Sequence, residues 1–176
     1  MDRLLIVVDM QNDFITGCLG TEQAQQIVSQ VIKKVEEFQG DVWFTMDTHT
    51  EEYLSTQEGR NLPVTHCVEN TNGWKLADGL AKLQQQRNAP VFKKGAFGSV
   101  SLAKEVKQRF EQGELKEVVL CGVCTDICVI SNAILLKSFV PELLVRVDAN
   151  CCAGVTVESH QNALEAMKMC QVMIDE

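Results

Sequence analysis

Short apolar runs alternate along the chain with stretches in which apolar residues recur every three or four positions. Residues 3–9 (RLLIVVD) form a continuous apolar run closed by an acid, the pattern of a strand buried on both faces with a carboxylate at its C-terminal tip. Ile27, Val31, Val35 and Phe38 then recur at helical spacing between Thr21 and Gly40, with Gly40 placed to cap the helix. Residues 41–46 (DVWFTM) repeat the strand pattern and again end at an acid, Asp47. Leu76, Leu80 and Leu83 predict a helix before a short strand at 90–92, and Leu102, Val106 and Phe110 predict another before a strand at 117–121. A helix starting near Cys128 leads to a strand at 143–147 ending at Asp148, a helix at 157–169 and a last short strand at 172–174. This alternation predicts an α/β fold of three layers, α/β/α, around a six-stranded, mainly parallel sheet. No internal repeat, low-complexity tract or linker interrupts it, so residues 1–176 read as a single domain.

One segment breaks the rhythm. Gly59, Pro63 and Gly73 mark residues 48–74 as mainly loop, far longer than the usual connection of about 4 to 6 residues. Its His, Cys, Pro and aromatic residues point to a functional loop rather than disorder.

Parallel α/β sheets bind ligands at the C-terminal ends of their strands. Asp9, Asp47, Lys93 or Lys94, and Cys128 all fall there, and packing requires none of these groups. Cys128 sits at or just inside a helix N-terminus, where free N–H groups and the dipole favour a thiolate. A thiolate attacking an amide needs a proton shuttle, a cation and oxyanion donors. Asp9 can be the shuttle, a lysine the cation, and the backbone N–H groups around Cys124 and Cys128 the donors. Asp47-Thr48-His49, with His66 from the loop, is a second constellation able to bind a divalent metal through mixed N and O ligands, with Glu58 available as a fourth. The third histidine, His160, reads as a surface or capping group.

Composition narrows the partners. The net charge of −8 argues against a nucleic-acid or anionic-membrane surface and for a small-molecule ligand. No apolar run approaches the roughly 18 residues of a spanning helix, and Met1-Asp2-Arg3 leads into a strand without a signal-peptide layout, so a cytoplasmic site of action is expected. The eight cysteines then read as reduced thiols. Cys121-x-x-Cys124 is by itself a weak motif, redox-active or half of a zinc site, and with Cys128 it leaves a zinc- or redox-sensing binding module as the alternative to an enzyme.

The motifs Asp9-Met10-Gln11-Asn12-Asp13-Phe14, Asp47-Thr48-His49, Leu62-Pro63-Val64-Thr65-His66-Cys67, Lys94-Gly95-Ala96-Phe97 and Gly122-Val123-Cys124-Thr125-Asp126-Ile127-Cys128-Val129, in this order, resemble the isochorismatase-like cysteine hydrolase superfamily and, within it, the nicotinamidase (pyrazinamidase) branch. The resemblance spans nearly the whole chain. It implies an isochorismatase-like hydrolase fold and an amidase converting nicotinamide to nicotinate and ammonia through a cysteine thioester, a step of NAD salvage. Within enzymes, a related cysteine amidase acting on N-carbamoyl or ureido compounds is the rival.

By the same resemblance Cys128 is the nucleophile, Asp9 the acid/base and Lys94 the cation, with Lys93 a spectator. A cis Val123–Cys124 peptide turns the N–H groups of Cys124 and Cys128 toward the oxyanion. Asp47, His49, Glu58 and His66 hold Zn, Fe or Mn, which takes the pyridine nitrogen, and Phe14, Gln11 and Leu62 contact substrate. Leu62 stands where the branch usually carries an aromatic wall. Homo-oligomers are common in the branch, and Ile134, Leu135 and Phe139 offer a face for one.

Overall fold

A computed structural model describes residues 2–176. Strands β1 (Arg3–Val8), β2 (Asp41–Asp47), β3 (Val91–Lys94), β4 (Glu117–Val123), β5 (Leu144–Ala153) and β6 (Met173–Asp175) form one sheet in the order β3-β2-β1-β4-β5-β6. Every neighbouring pair runs parallel, so the sheet is wholly parallel. Seven helices accompany it: α1 (Asn12–Ile15), α2 (Glu22–Glu37), α3 (Gln57–Asn61), α4 (Asp78–Gln86), α5 (Val100–Glu111), α6 (Ile130–Phe139) and α7 (Val157–Met169). Right-handed crossovers put α2 and α4 on one face of the sheet and the mutually packed α5, α6 and α7 on the other. Leu4, Leu5, Ile6, Val7 and Val8 are fully buried, as a central strand covered on both faces must be.

The chain winds from β1 out to β3, returns beside β1 as β4, and winds the other way to β6. The reversal falls between β1 and β4, and crevices beyond the strand ends at such a reversal are where open parallel sheets bind ligands.

Two boundaries differ from the apolar pattern. α2 starts at a capped end, Thr21 Oγ1 accepting from Ala24 N at 3.0 Å, but it stops at Glu37 with Phe38 as C-cap rather than running to Gly40. Gly40 is instead a close approach, since a Cβ there would lie 2.5 Å from Arg3 O. β5 does not end at Asp148 but continues to Ala153. Its register with β4 shifts, Leu120 pairing with Val147 and Gly122 with Cys152, and the surplus residues Asp148, Ala149 and Asn150 interrupt the apolar run. Asp148 is therefore mid-strand, paired to Lys34 of α2 at 2.6 Å.

Residues 48–74 contain a 3-10 turn (Tyr53–Ser55) and the short α3. Among the described residues no helix is long and apolar enough to cross a membrane.

Candidate active site

At the end of β1 the backbone turns into the left-handed region at Asp9 (φ 48°), which aspartate tolerates better than most residues. Thr45 of β2 holds it there. Asp9 N donates to Thr45 O at 3.3 Å and to Thr45 Oγ1 at 3.2 Å, and Thr45 Oγ1 donates to Asp9 Oδ1 at 2.7 Å. Lys94, the last residue of β3, places Nζ 2.6 Å from Asp9 Oδ2, 3.4 Å from Asp47 Oδ1 and 3.4 Å from Cys128 Sγ. Lys94 and Asp9 form a buried ion pair, with the Asp9 carboxylate also held by Thr45.

Cys128 reaches the same place from β4. Gly122 (φ +115°) passes so close to β1 that a Cβ would stand 2.1 Å from Val8 O. The Val123–Cys124 peptide is cis. A π turn at Thr125–Val129 then carries Cys128 into the start of α6. Asn132, one turn on, is fully buried and ties this turn to its neighbours: its Nδ2 donates to Cys128 O at 2.8 Å and Phe97 O at 3.2 Å, and its Oδ1 accepts from Ser99 N at 2.9 Å.

Burial raises the Asp9 carboxyl above the ordinary carboxylate range, with Lys94 opposing and Asp47 reinforcing the shift. Burial also pushes the Cys128 thiol well up, Asp9 adding to the effect and Lys94 countering it. Burial alone would lower Lys94, but the charges of Asp9, Cys128 and Asp47 outweigh it and keep the ammonium protonated. Burial therefore favours the neutral thiol at Cys128, against the thiolate that the helix-terminus reading expects, while the Lys94 ammonium favours the ionised form of Asp9. Desolvation outweighs the free N–H groups.

A second cluster faces this one. Ligand atoms of Asp47, His49, Glu58 and His66 all lie within 4.8 Å of one another. His49 Nε2 is 3.0 Å and His66 Nε2 3.5 Å from Asp47 Oδ2, and both nitrogens lie within 3.9 Å of Glu58 Oε1. His66 Nδ1 lies 2.8 Å from Val64 O; donating there assigns the tautomer that leaves Nε2 free to ligate. Burial works to raise the Asp47 carboxyl, yet the His49 and His66 rings beside it and the charge of Lys94 hold it well below the ordinary range. Two imidazole nitrogens and two carboxylate oxygens suit Zn, Fe or Mn. Among the described residues this is the one group able to hold a metal ion, and Cys121, Cys124 and Cys128 are not in it.

Several supports of this cluster escape sequence reasoning. Tyr53, fully buried, packs against His49 at 4.7 Å and His66 at 4.8 Å between ring centroids, and its hydroxyl donates to Leu62 O at 3.0 Å. Thr56 caps α3, accepting from Gly59 N at 3.0 Å, and so fixes Glu58. Gln11 does not line the cavity as expected: its Nε2 donates to Asp47 O and Trp74 O, both at 2.8 Å, and its Oε1 accepts from Asp47 N at 2.7 Å. With those partners engaged, Gln11 positions Asp47 rather than meeting a ligand. His160 is likewise not a surface or capping group, since its Nδ1 lies 2.8 Å from the Oγ1 of buried Thr125 in the π turn.

Between the two clusters lies a cavity of about 200 Å³. Phe14, Leu19, Leu62, Phe97 and Ile127 form its apolar walls, with Cys124 and Cys128 on one side and Asp47, Glu58 and His66 on another. Drug-sized ligands need roughly 300–1,000 Å³, so this space suits a single ring with a small substituent. Lys93 points away, paired with Glu69 at 2.6 Å.

A parallel sheet that gathers a thiol, a carboxylate and an ammonium at its point of reversal defines a hydrolase of the α/β/α class. The chain belongs to the isochorismatase family: the profile of the Isochorismatase domain matches residues 3–176. It is 31% identical over 177 residues to an isochorismatase family protein, PncA, of Bacillus subtilis, with 93% of each chain covered. It is 29% identical over 185 residues to the nicotinamidase/pyrazinamidase of Mycobacterium tuberculosis, covering 97% of this chain and 96% of the relative. The solved nicotinamidase/pyrazinamidase PncA of Bacillus subtilis superposes with a TM-score of 0.86 at 26% identity, covering 100% of both chains. The pyrazinamidase of Pyrococcus horikoshii, solved in complex with zinc, gives a TM-score of 0.81 at 27% identity, covering 100% of this chain and 99% of the other.

Proposed function

We propose that the chain is a nicotinamidase-type amidase, acting as one catalytic domain in the cytoplasm and hydrolysing nicotinamide to nicotinate and ammonia through a thioester on Cys128. The observation that carries this reading is the buried Asp9–Lys94 ion pair, 2.6 Å between Oδ2 and Nζ, with Cys128 Sγ 3.4 Å from the same nitrogen at the wall of a ring-sized cavity.

Asp9 takes the thiol proton while Lys94 holds the developing negative charge. The sulfur attacks the amide carbon, and the N–H groups of Cys124 and Cys128 receive the charge on oxygen. Collapse of this adduct breaks the C–N bond, and the departing ammonia takes the proton from Asp9. Asp9, again a carboxylate, accepts a proton from water as the hydroxide attacks the thioester; the departing sulfur recovers that proton, and the product leaves as the acid, which ionises to nicotinate in solution. Asp47, His49, Glu58 and His66 would hold the divalent ion, which when bound supplies a coordination position for the pyridine nitrogen. Phe14, Leu62 and Phe97 offer apolar surface to the ring.

Ammonia release from nicotinamide, pyrazinamide and an N-carbamoyl amino acid tests the reading. Release from the first two is expected, lost in Cys128→Ala with metal content retained. Release from the N-carbamoyl compound alone would replace this reading by its rival.

A further inference from the structure

We infer that a groove outside the catalytic cavity is a second substrate subsite, taking a neutral or cationic substituent carried on the ring of the amide; the inference rests on the amidase reading above. The cavity that holds Cys128 shares part of its wall with a second space. Leu62, Phe97, Ile127 and Glu58 line the cavity and also line a wider groove of about 630 Å³ on its outer side. Leu62 is 38% and Phe97 49% exposed, so the boundary between the two spaces is a pair of apolar side chains with open outer edges. An aromatic ring at Leu62 would thicken this wall, and leucine leaves it thin. A ring with its amide at Cys128 fills the inner space, and a group on its far edge passes between Leu62 and Phe97 into the groove.

The groove has a chemical preference. Beyond the shared residues it presents Gln57, Asn61 and Ser131, which are neutral hydrogen-bonding groups, and Asp126. No lysine or arginine lines it, and Glu58 is committed to the metal cluster, so Asp126 is the groove's own charge. That carboxylate is held in place by Val155 N, 3.2 Å from both oxygens. The chain's net charge of −8 has the same sign. Neutral polar or cationic substituents are matched by this lining. Carboxylates and phosphates meet repulsion with no cation to offset it.

The test compares kcat/KM of the metal-loaded enzyme for nicotinamide and for nicotinamides bearing hydroxymethyl, aminomethyl or carboxymethyl at ring position 5, in wild type, Asp126→Asn and Asn61→Arg. The neutral and cationic amides are expected within about tenfold of nicotinamide, and the anionic one at least about tenfold below the neutral one. Asn61→Arg should raise the anionic-to-neutral ratio about tenfold, and Asp126→Asn should raise it in the same direction. Ratios within one variant cancel any general loss of activity. Nicotinamide turnover with all three substituted amides slower by more than about a hundredfold overturns the subsite, as does a charge ratio that neither substitution moves. Turnover of substituted amides without nicotinamide would leave the groove standing and remove nicotinamide as the substrate. Ammonia from none of them would end both.

Discussion

Replacing Lys94 with methionine keeps most of the side-chain volume and removes the positive charge among Asp9, Asp47 and Cys128. At 2.6 Å and an effective dielectric of 20, the Lys94–Asp9 attraction is about 6 kcal/mol. A tenfold change in proton affinity takes only about 1.4 kcal/mol, so even a fraction of that attraction decides whether Asp9 is ionised. Burial already raises this carboxyl, and without the lysine nothing of comparable size opposes it. Asp9 then stays protonated through neutral pH and cannot accept the thiol proton. The expected result is a loss of about 10²–10⁴ in kcat/KM for nicotinamide and an acid limb of the rate profile moved to higher pH. Stability carries the same signature. The folded variant keeps a proton that the unfolded chain releases above the ordinary aspartate pKa, so its unfolding free energy falls as pH rises from there toward the raised folded value. Protonation relieves the stranded charge, so the loss stays below the roughly 3–5 kcal/mol of an unpaired buried ion. Ammonia release across the pH range and urea unfolding at about pH 5 and 8 measure both effects. Activity within tenfold of wild type, an unmoved acid limb and pH-independent stability together would refute the assignment of Lys94 and Asp9.

Three further outcomes follow from the supporting shell. Gln11→Ala should weaken zinc binding by about 10–100-fold in a metal titration, because it frees the backbone on both sides of Asp47 without removing a ligand. Zinc at about a hundredfold over its Kd should raise the unfolding free energy by about 2.7 kcal/mol. Asp47→Asn should abolish that rise and Cys124→Ala should keep it; the reverse pattern in melts with and without chelator would move the metal to the thiols. Gly122→Ala places a Cβ against Val8 O in a backbone conformation alanine avoids, so a loss of about 3 kcal/mol or more is expected in urea unfolding.

The strands were legible where burial on both faces leaves an uninterrupted apolar run, as in β1 and β2. The length of β5 was not, because its irregular register admits Asp148 and Asn150 into the middle of a strand. α3 leaves no periodic stripe in five residues that include Gly59 and Asn61, so Glu58 could be proposed as a ligand but not placed on a helix. Residues defined by side-chain chemistry, such as Asp9, Cys128 and the Asp-x-His pair, stood out because their types are costly to bury without use; a lysine did too, but only the family resemblance chose Lys94 over Lys93. Asn132 and Tyr53 did not, and for Gln11 the resemblance implies a substrate contact rather than a support for Asp47. Their partners are backbone groups and ring faces distant in sequence, and an amide or phenol carries no sign of which carbonyl it will meet. The upward push of burial on the Cys128 thiol was hidden too, since helix position can be read from spacing but desolvation depends on everything packed around the sulfur.

Asp47 belongs to both halves of the molecule's chemistry. One of its oxygens faces the Lys94 ammonium at 3.4 Å, and the other faces His49 and His66. A divalent ion held among the imidazoles would draw electron density from that carboxylate and loosen its hold on the lysine, leaving the lysine freer to serve Asp9. On the proposed reading, the ion site would therefore be in electrical conversation with the group that moves the proton. Swapping one ion for another should retune the acidity of turnover as well as the choice of ring, so neither property can drift far without the other.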